Sequence, residues 1–384
     1  MFKRADYCII NRTFYPQNKT IGEGLLILSE KLSEENMKVI MISSSRNLKK
    51  HLKADERGDR VIFRPLFKFD TSSSTIFTRI LSSVFFGLWV FVNLTWYRPR
   101  KLYVSTDPPI VIPFIVALSS KLFSISYVYH YQDIHPEITN KIKVLPNFIF
   151  NTLKKLDIFS QRNATKLITI NSQMRNYLEC RSQADQQIVC ISNPSNPGID
   201  IPFNERIKGI VFCGNAGRLQ RIPLVILAVK EYLNRGGKLE FCFIGDGLYS
   251  NELKQLASEN KKVSYYGYLD SNLCNEYISS YMWALLPLEE GILDYAFPSK
   301  SSTYLSCNCK ILSISSKGSS LEEWVKQNSN GINTEPFLEK VIESLFIIED
   351  DCFRLYGDHK TKYIGDFSTK NFAMQIKEVL NSNY

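Results

Sequence analysis

A chain of 384 residues that is 44% hydrophobic is long enough for two domains, each with its own buried core. Its net charge of +9 comes from 47 basic against 38 acidic side chains with no block of like charge, which favours anionic ligands or an anionic membrane surface. The aromatic-glycine signatures of RNA-binding modules are absent, so no nucleic-acid partner is expected; nine cysteines without paired spacing and four scattered histidines point to no metal centre or disulfide scaffold, and to a reducing cytoplasm.

In chain order, Met1-Phe2-Lys3-Arg4 carries no secretory signal and leads into a strand, Tyr7 to Ile10, that ends in polar Asn11 and Arg12. A loop through Gly24, a helix from Leu25 to Glu35, a strand from Lys38 to Ser43, a polar region and a short strand from Val61 to Arg64 follow. The segment Ile80 to Tyr97 has no charge, is flanked by Arg79, Arg98, Arg100 and Lys101, and approaches the length of a bilayer span. Ser82, Ser83, Asn93 and Thr95 dilute it and a strand, Lys101 to Ser105, follows directly. It therefore reads as a buried or membrane-touching crossover helix ahead of a true span, and its basic flanks and aromatic ends suit lipid headgroups. Asp107-Pro108-Pro109 breaks the chain, a helix runs to about Leu122, and Ser126 to His130 is the next strand. The loop Gln132 to Glu137 precedes a helix from Leu145 to Ala164, a strand from Lys166 to Thr169, a helix from Asn171 to Leu178 and a strand from Gln187 to Ile191. Pro194, Pro197, Gly198 and Pro202 mark a linker.

The second half repeats the rhythm, with strands starting near Gly209, Leu239, Val263, Met282 and Lys310 and closing helices at Phe337 to Ile348 and Thr369 to Leu380. Alternating strands and helices predict a two-lobed α/β protein with about five parallel strands per lobe. In this half Ile210 to Leu227 is an apolar strand, then Gly214-Asn215-Ala216-Gly217, then Arg218 opening an amphipathic helix. A small-residue turn beneath a helix N-terminus presents backbone N–H groups and the positive end of the dipole to a phosphate. The same Gly-x-x-Gly spacing also occurs where a helix merely packs close to a strand. Gly245-Asp246-Gly247 repeats the pattern at the next strand end, where ligands of parallel sheets collect. Further on, Phe297-Pro298-Ser299-Lys300-Ser301-Ser302 leads into a helix. Ser299, Ser301 or Ser302 could cap it and Lys300 would set a charge beside a diphosphate; a capped surface helix with a solvated lysine is the plainer alternative.

The order of these pieces resembles family 4 glycosyltransferases of the GT-B fold, in the branch that builds bacterial surface polysaccharides such as O-antigen and capsule. The likeness rests on Gly-Asn-x-Gly after a strand, Gly245-Asp246-Gly247, Tyr266-Gly267-Tyr268 and Pro298-Ser299-Lys300 in the second lobe. In the first lobe, Tyr131-Gln132-Asp133-Ile134-His135-Pro136-Glu137 resembles that branch's Asp-Leu-Trp-Pro-Glu loop, Ser105-Thr106-Asp107-Pro108-Pro109 its Thr-Ser-Pro-Pro turn, and Phe14-Tyr15-Pro16 with Gly22 its first loop.

The resemblance implies two Rossmann-like parallel-sheet lobes facing a central cleft: an acceptor lobe over residues 1–200, a nucleotide-sugar lobe over 201–355, and a C-terminal helix in 356–384 packing back on the first lobe. It implies a retaining transferase needing no metal and no cofactor besides its nucleotide-sugar donor. The acceptor it implies is a polyprenyl-diphosphate-linked glycan, met at the inner face of the cytoplasmic membrane. On this pattern Gly214, Asn215 and Gly217 approach the donor diphosphate, Arg218 or Arg221 and Lys300 neutralise it, and Gly245 and Gly247 border the nucleotide with Pro298, Ser299 and Thr303. Asp133 is the first-lobe catalytic candidate, with Gly22, Glu23, Glu137 and Glu290 toward sugar and acceptor. His130 and His135 rank below Asp133, since a lone histidine near a strand end is more often structural.

Three positions depart from the family pattern. Thr303 and Tyr295 stand where family members carry glutamates, and Arg221 where a glycine is common; either Glu289 or Glu290 compensates in the donor grip, or the protein is a non-catalytic GT-B assembly partner. A sugar-nucleotide epimerase on the same fold is a further alternative and would need a carboxylate or histidine base near the sugar.

Overall fold

The computed structural model describes residues 4–45, 47–67, 76–329, 331–354 and 366–382, and these form two compact units, 1–194 with 368–384 and 195–367. Part of the closing segment, 356–365, lies outside the described residues.

The first unit runs β1 (Tyr7–Ile10), α1 (Ile21–Glu34), β2 (Val39–Ser44), α2 (Leu48–Ala54), β3 (Ile62–Leu66), α3 (Ile76–Tyr97), β4 (Lys101–Ser105) and α4 (Val111–Phe123). It continues with β5 (Ser126–His130), α5 (Glu137–Ile142), α6 (Asn147–Asn163), β6 (Lys166–Thr169), α7 (Ser172–Ser182) and β7 (Ile188–Cys190). All seven strands are parallel, in the order β3-β2-β1-β4-β5-β6-β7. Every residue of β1 and β2 is buried, the continuous apolar run expected of a parallel sheet covered on both faces.

The second unit runs β8 (Ile207–Cys213), α8 (Ile222–Asn234), β9 (Glu240–Ile244), α9 (Ser250–Glu259), β10 (Val263–Tyr266), α10 (Ser271–Ser279) and β11 (Tyr281–Pro287). After these come α11 (Lys300–Ser306), β12 (Lys310–Ile314), α12 (Ser320–Asn328), β13 (Ile332–Thr334) and α13 (Leu338–Phe353). Its six parallel strands are ordered β10-β9-β8-β11-β12-β13, so chain order reverses between β8 and β11. Ile210 and Phe212 of β8 join Val229 and Tyr232 of α8 and Ile342 and Leu345 of α13 in one core. The chain then returns to the first unit, where α14 (Thr369–Asn381) lays Phe372, Ile376 and Leu380 beside Leu25 and Leu28 of α1.

Four differences from the sequence reading have local causes. The sheets hold seven and six strands rather than about five each, and β13 escapes notice because three residues carry too little pattern. The polar region after β2 holds α2, and a short α5 follows the Gln132–Glu137 loop. The first helix begins at Ile21 rather than Leu25, because Gly22 and Gly24 are packing glycines and not loop residues. A Cβ on Gly24 would lie 2.6 Å from the Phe372 ring, and one on Gly22 would lie 2.9 Å from the Tyr15 nitrogen. Finally, Arg218 does not open the helix after β8: Arg218–Gln220 form a single 3₁₀ turn, Arg221 is left-handed, and α8 starts at Ile222.

Candidate functional site

The predicted donor residues gather at the carboxyl ends of β8, β9 and β11, where strand order reverses in the second unit and a parallel sheet leaves a crevice. Two glycine turns meet there backbone to backbone. Gly214 N–H donates to Ile244 O at 2.9 Å, Ala216 N–H to Asp246 O at 3.1 Å, and Gly217 N–H to Asn215 O at 2.8 Å. A Cβ on Gly245 would sit 2.1 Å from Gly214 O, and one on Gly247 2.5 Å from Ala216 O, so only glycine lets the turns approach this closely. The N–H groups of Gly214 and Gly217, expected to be open to a phosphate, are engaged within the unit, the first by Ile244 O of β9 and the second by Asn215 O, and Asn215 is the exposed residue of the turn. Asp246 braces the same turn, accepting from Tyr265 O–H at 3.0 Å and from Tyr268 N–H at 3.1 Å.

Three cations were assigned to the diphosphate, and the structure separates them. Arg218 is exposed on the turn after Gly217. Arg221 is already engaged: its Nε donates to Leu288 O at 2.7 Å and its guanidinium lies 3.2 Å from the Glu289 carboxylate. Lys300 begins α11, whose position under β8 is fixed by the Tyr304 hydroxyl, which accepts from Cys213 N–H at 2.8 Å and donates to Cys213 O at 3.2 Å. The Cys213 thiol is drawn below the usual thiol range, first by its hydrogen bond with Cys274 and then by the Lys300 ammonium, against the burial that raises it. Strand composition alone identified Cys213 as a small apolar filler; its meeting with Cys274 and Lys300 joins three distant stretches of chain.

Around these, Ser299 occupies the N-cap position of α11 without a side-chain cap bond, Ser301 and Ser302 are buried, and Pro298 and Thr303 are partly exposed. Of the two glutamates offered as compensation, Glu289 pairs with Arg221 and Glu290 accepts from Ser316 O–H at 2.8 Å.

In the first unit Asp133 lies in the loop after β5, its N–H 3.4 Å from Thr106 Oγ1 at the end of β4, and burial raises its carboxyl to about 6. The raised value suits a carboxyl that trades protons near neutrality. Its predicted companions in this unit are engaged by other residues of the unit. Glu137 is buried in ion pairs with Arg181 at 3.1 Å and Lys154 at 3.5 Å, and Glu23 pairs with Arg57 at 3.0 Å. Gly22 seats α1 against the loop from Phe14 to Asn18. His130 is buried against the Tyr103 hydroxyl at 2.6 Å and burial lowers it to about 3, while His135 faces Thr139 Oγ1 at 2.8 Å and burial lowers it to about 4. Asp107, read in the sequence only as part of a turn, has an Oδ2 that accepts from Thr13 N–H at 2.6 Å and from Asn11 at 3.3 Å, tying β1 to β4 at the first unit's own reversal of strand order. Among the described residues no group of histidine, cysteine and carboxylate side chains could hold a metal ion.

No protein-family model matches the chain. It is 26% identical over 344 residues to the probable glycosyltransferase WbjE of Pseudomonas aeruginosa, a match spanning 83% of this chain and 85% of that protein. Among solved structures it is similar to HepE of Anabaena in complex with UDP, with a TM-score of 0.62 at 14% identity over 98% of this chain and 100% of that one. It is also similar to the UDP-GlcNAc 2-epimerase of Methanocaldococcus jannaschii, with a TM-score of 0.60 at 12% identity over 98% and 99% of the two chains. The chain has the fold of these neighbours, two Rossmann-like parallel-sheet domains of the GT-B class.

Proposed function

We propose that this protein is a retaining glycosyltransferase of family 4 that moves a sugar from a nucleoside-diphosphate donor to a polyprenyl-diphosphate-linked oligosaccharide. The reaction belongs to surface-polysaccharide assembly, of the O-antigen or capsule kind, at the inner face of the cytoplasmic membrane. The observation that carries the reading is the grouping of Lys300 and Arg218 around the paired glycine turns at the strand-order reversal of the second unit. Two further supports are the similarity to a probable glycosyltransferase over 83% of the chain and the UDP held by a neighbour of the same fold.

The chemistry fits the residues. As the bond from the sugar's anomeric carbon to the diphosphate stretches, negative charge builds on the leaving phosphate. Fixed cations there stabilise the transition state more than the ground state. Lys300 is the principal cation, because Arg221 is spent on Leu288 and Glu289. Asn215 borders the diphosphate through its exposed side chain, and Gly245 and Gly247 bring the second turn up to the nucleotide. Asp133 serves the acceptor side, its raised carboxyl ready to take a proton from the attacking hydroxyl. The donor is a substrate, and no metal or resident cofactor takes part in this scheme.

The test is thermal denaturation with UDP, GDP, dTDP, CMP and ADP, since a ligand that binds the folded state alone raises its stability. One diphosphate should raise the melting temperature of the parent and lose at least tenfold in affinity in Lys300→Ala. Equal binding by that variant would remove Lys300 from the site. Conversion of the free nucleotide sugar to its epimer, without acceptor, would replace transfer by epimerisation.

A further inference from the structure

Helix α3 is long and apolar enough to cross a membrane, yet it lies against its own unit with one face buried. Phe86, Val90, Leu94 and Tyr97 are packed inward. Three of its polar residues are engaged within the unit: Ser82 and Ser83 accept from the Arg12 guanidinium at 2.5 and 3.3 Å, and Asn93 is buried with its amide on Trp89 O at 2.8 Å, while Arg79 is exposed near the start of the helix. Gly87 admits α4 so closely that a Cβ there would lie 2.4 Å from Ile115 Cδ1, which fixes α3 in place.

The face left outward is apolar too. Leu81, Val84, Leu88, Val92 and Trp96 recur at helical spacing and are 41–57% exposed, where a helix that meets water carries polar side chains. Leu118 and Leu122 extend the patch on α4, whose Phe123 ring lies 6.3 Å from Phe91 of α3. At the other end of the same helical layer Val144 and Phe148, before and at the start of α6, are 84% and 81% exposed.

Exposed charge on and beside these helices is mainly basic, although Arg100 lies 3.9 Å from the Asp6 carboxylate. α3 and α4 contain no acidic residue, and the single acid of α6, Asp157, is 1% exposed. Exposed Arg98 and Arg100 follow α3, Lys121 closes α4, and Lys141 and Lys143 precede α6. A second copy docked face to face by two-fold symmetry would bring these cations together. An anionic lipid surface accepts both the apolar stripe and its basic rim.

We infer that the outward face of α3, with the exposed ends of α4 and α6, is a docking surface for an anionic bilayer, α3 lying in the plane of the headgroups. The inference deepens the proposed function, which sets the reaction at the inner face of a membrane, and its own evidence is this face. Vesicles of phosphatidylglycerol with phosphatidylcholine, and of phosphatidylcholine alone, test it by co-sedimentation with the full chain. Binding to the anionic vesicles should be at least tenfold tighter, should weaken with salt, and should shift Trp96 fluorescence to the blue. The double variant Leu88→Asp with Val92→Asp, and the milder Leu88→Ser with Val92→Ser, should lose at least tenfold in vesicle affinity while keeping the parent's melting temperature and nucleotide response. Absence of vesicle binding by folded, monodisperse parent overturns the inference. So does a parent dimer that the double variant splits without any change in lipid binding. Loss of nucleotide binding in the parent would instead count against the transferase reading and leave the lipid result standing.

Discussion

The Arg221 guanidinium lies 3.2 Å from the Glu289 carboxylate, and the backbone that carries Arg221 is left-handed, with a φ of +45°. The two facts explain why a residue other than glycine stands here. The conformation costs an L side chain roughly 1–2 kcal/mol. The bond from Nε to Leu288 O, with the partly exposed ion pair, returns about 1–2 kcal/mol. Arg221→Gly should therefore unfold within about 1 kcal/mol of the parent in urea and retain its nucleotide affinity, whereas Arg221→Ala keeps the backbone cost without the bonds and should lose about 1–2 kcal/mol.

Gly245 is the least replaceable glycine of the candidate site. Its φ of +115° is strained for any other residue and an added Cβ would meet Gly214 O at 2.1 Å. Gly245→Ala should cost about 3 kcal/mol and abolish the nucleotide-induced rise in melting temperature. Gly236→Ala is the control, since its φ of +87° is also positive but nothing lies within 4 Å; it should show a smaller loss and normal nucleotide binding.

Asp133 predicts a pH dependence with a definite sign. Its carboxyl is raised by burial from 3.8 to about 6, so between those values the folded state holds more protons than the unfolded chain. Its contribution to stability then falls as pH rises from about 4 to about 6 and stays lost above that. Asp133→Asn removes the penalty. Melting curves across this range should show the variant gaining on the parent as pH rises, and a constant difference would refute the assignment.

Arg181 sits at the centre of a buried network, 2.8 Å from Asp157 and 3.1 Å from Glu137, with Tyr129 and Tyr131 donating to Asp157 at 2.7 and 2.9 Å. Removing one member of such a group strands a buried charge. Arg181→Met should cost about 3–5 kcal/mol in denaturant unfolding. The same geometry accounts for Glu137: its position after the Asp133 loop resembled a substrate contact, while its carboxylate anchors α5 and α7 together.

Much of the architecture was legible along the chain because parallel strands are buried on both faces and read as short runs of β-branched and aromatic residues. β1, β4, β5 and β6 begin and end where those runs do. The glycine turns after β8 and β9 were also legible, since a positive φ or a close approach admits little else. The fates of the polar residues were not. Arg221 and Lys300 look equivalent as sequence, yet one is spent on Leu288 and Glu289 and the other is set beside Cys213 by Tyr304. Glu23 and Glu137 are likewise engaged by arginines 34 and 44 positions away. In α3 composition determined that a long apolar helix exists, while packing decided that Ser82, Asn93, Val90 and Leu94 turn inward and Leu81, Val84, Leu88 and Val92 outward. Local pattern records backbone preference and burial, both short-range properties. Which charge meets which partner depends on strand order, and strand order exists only in three dimensions.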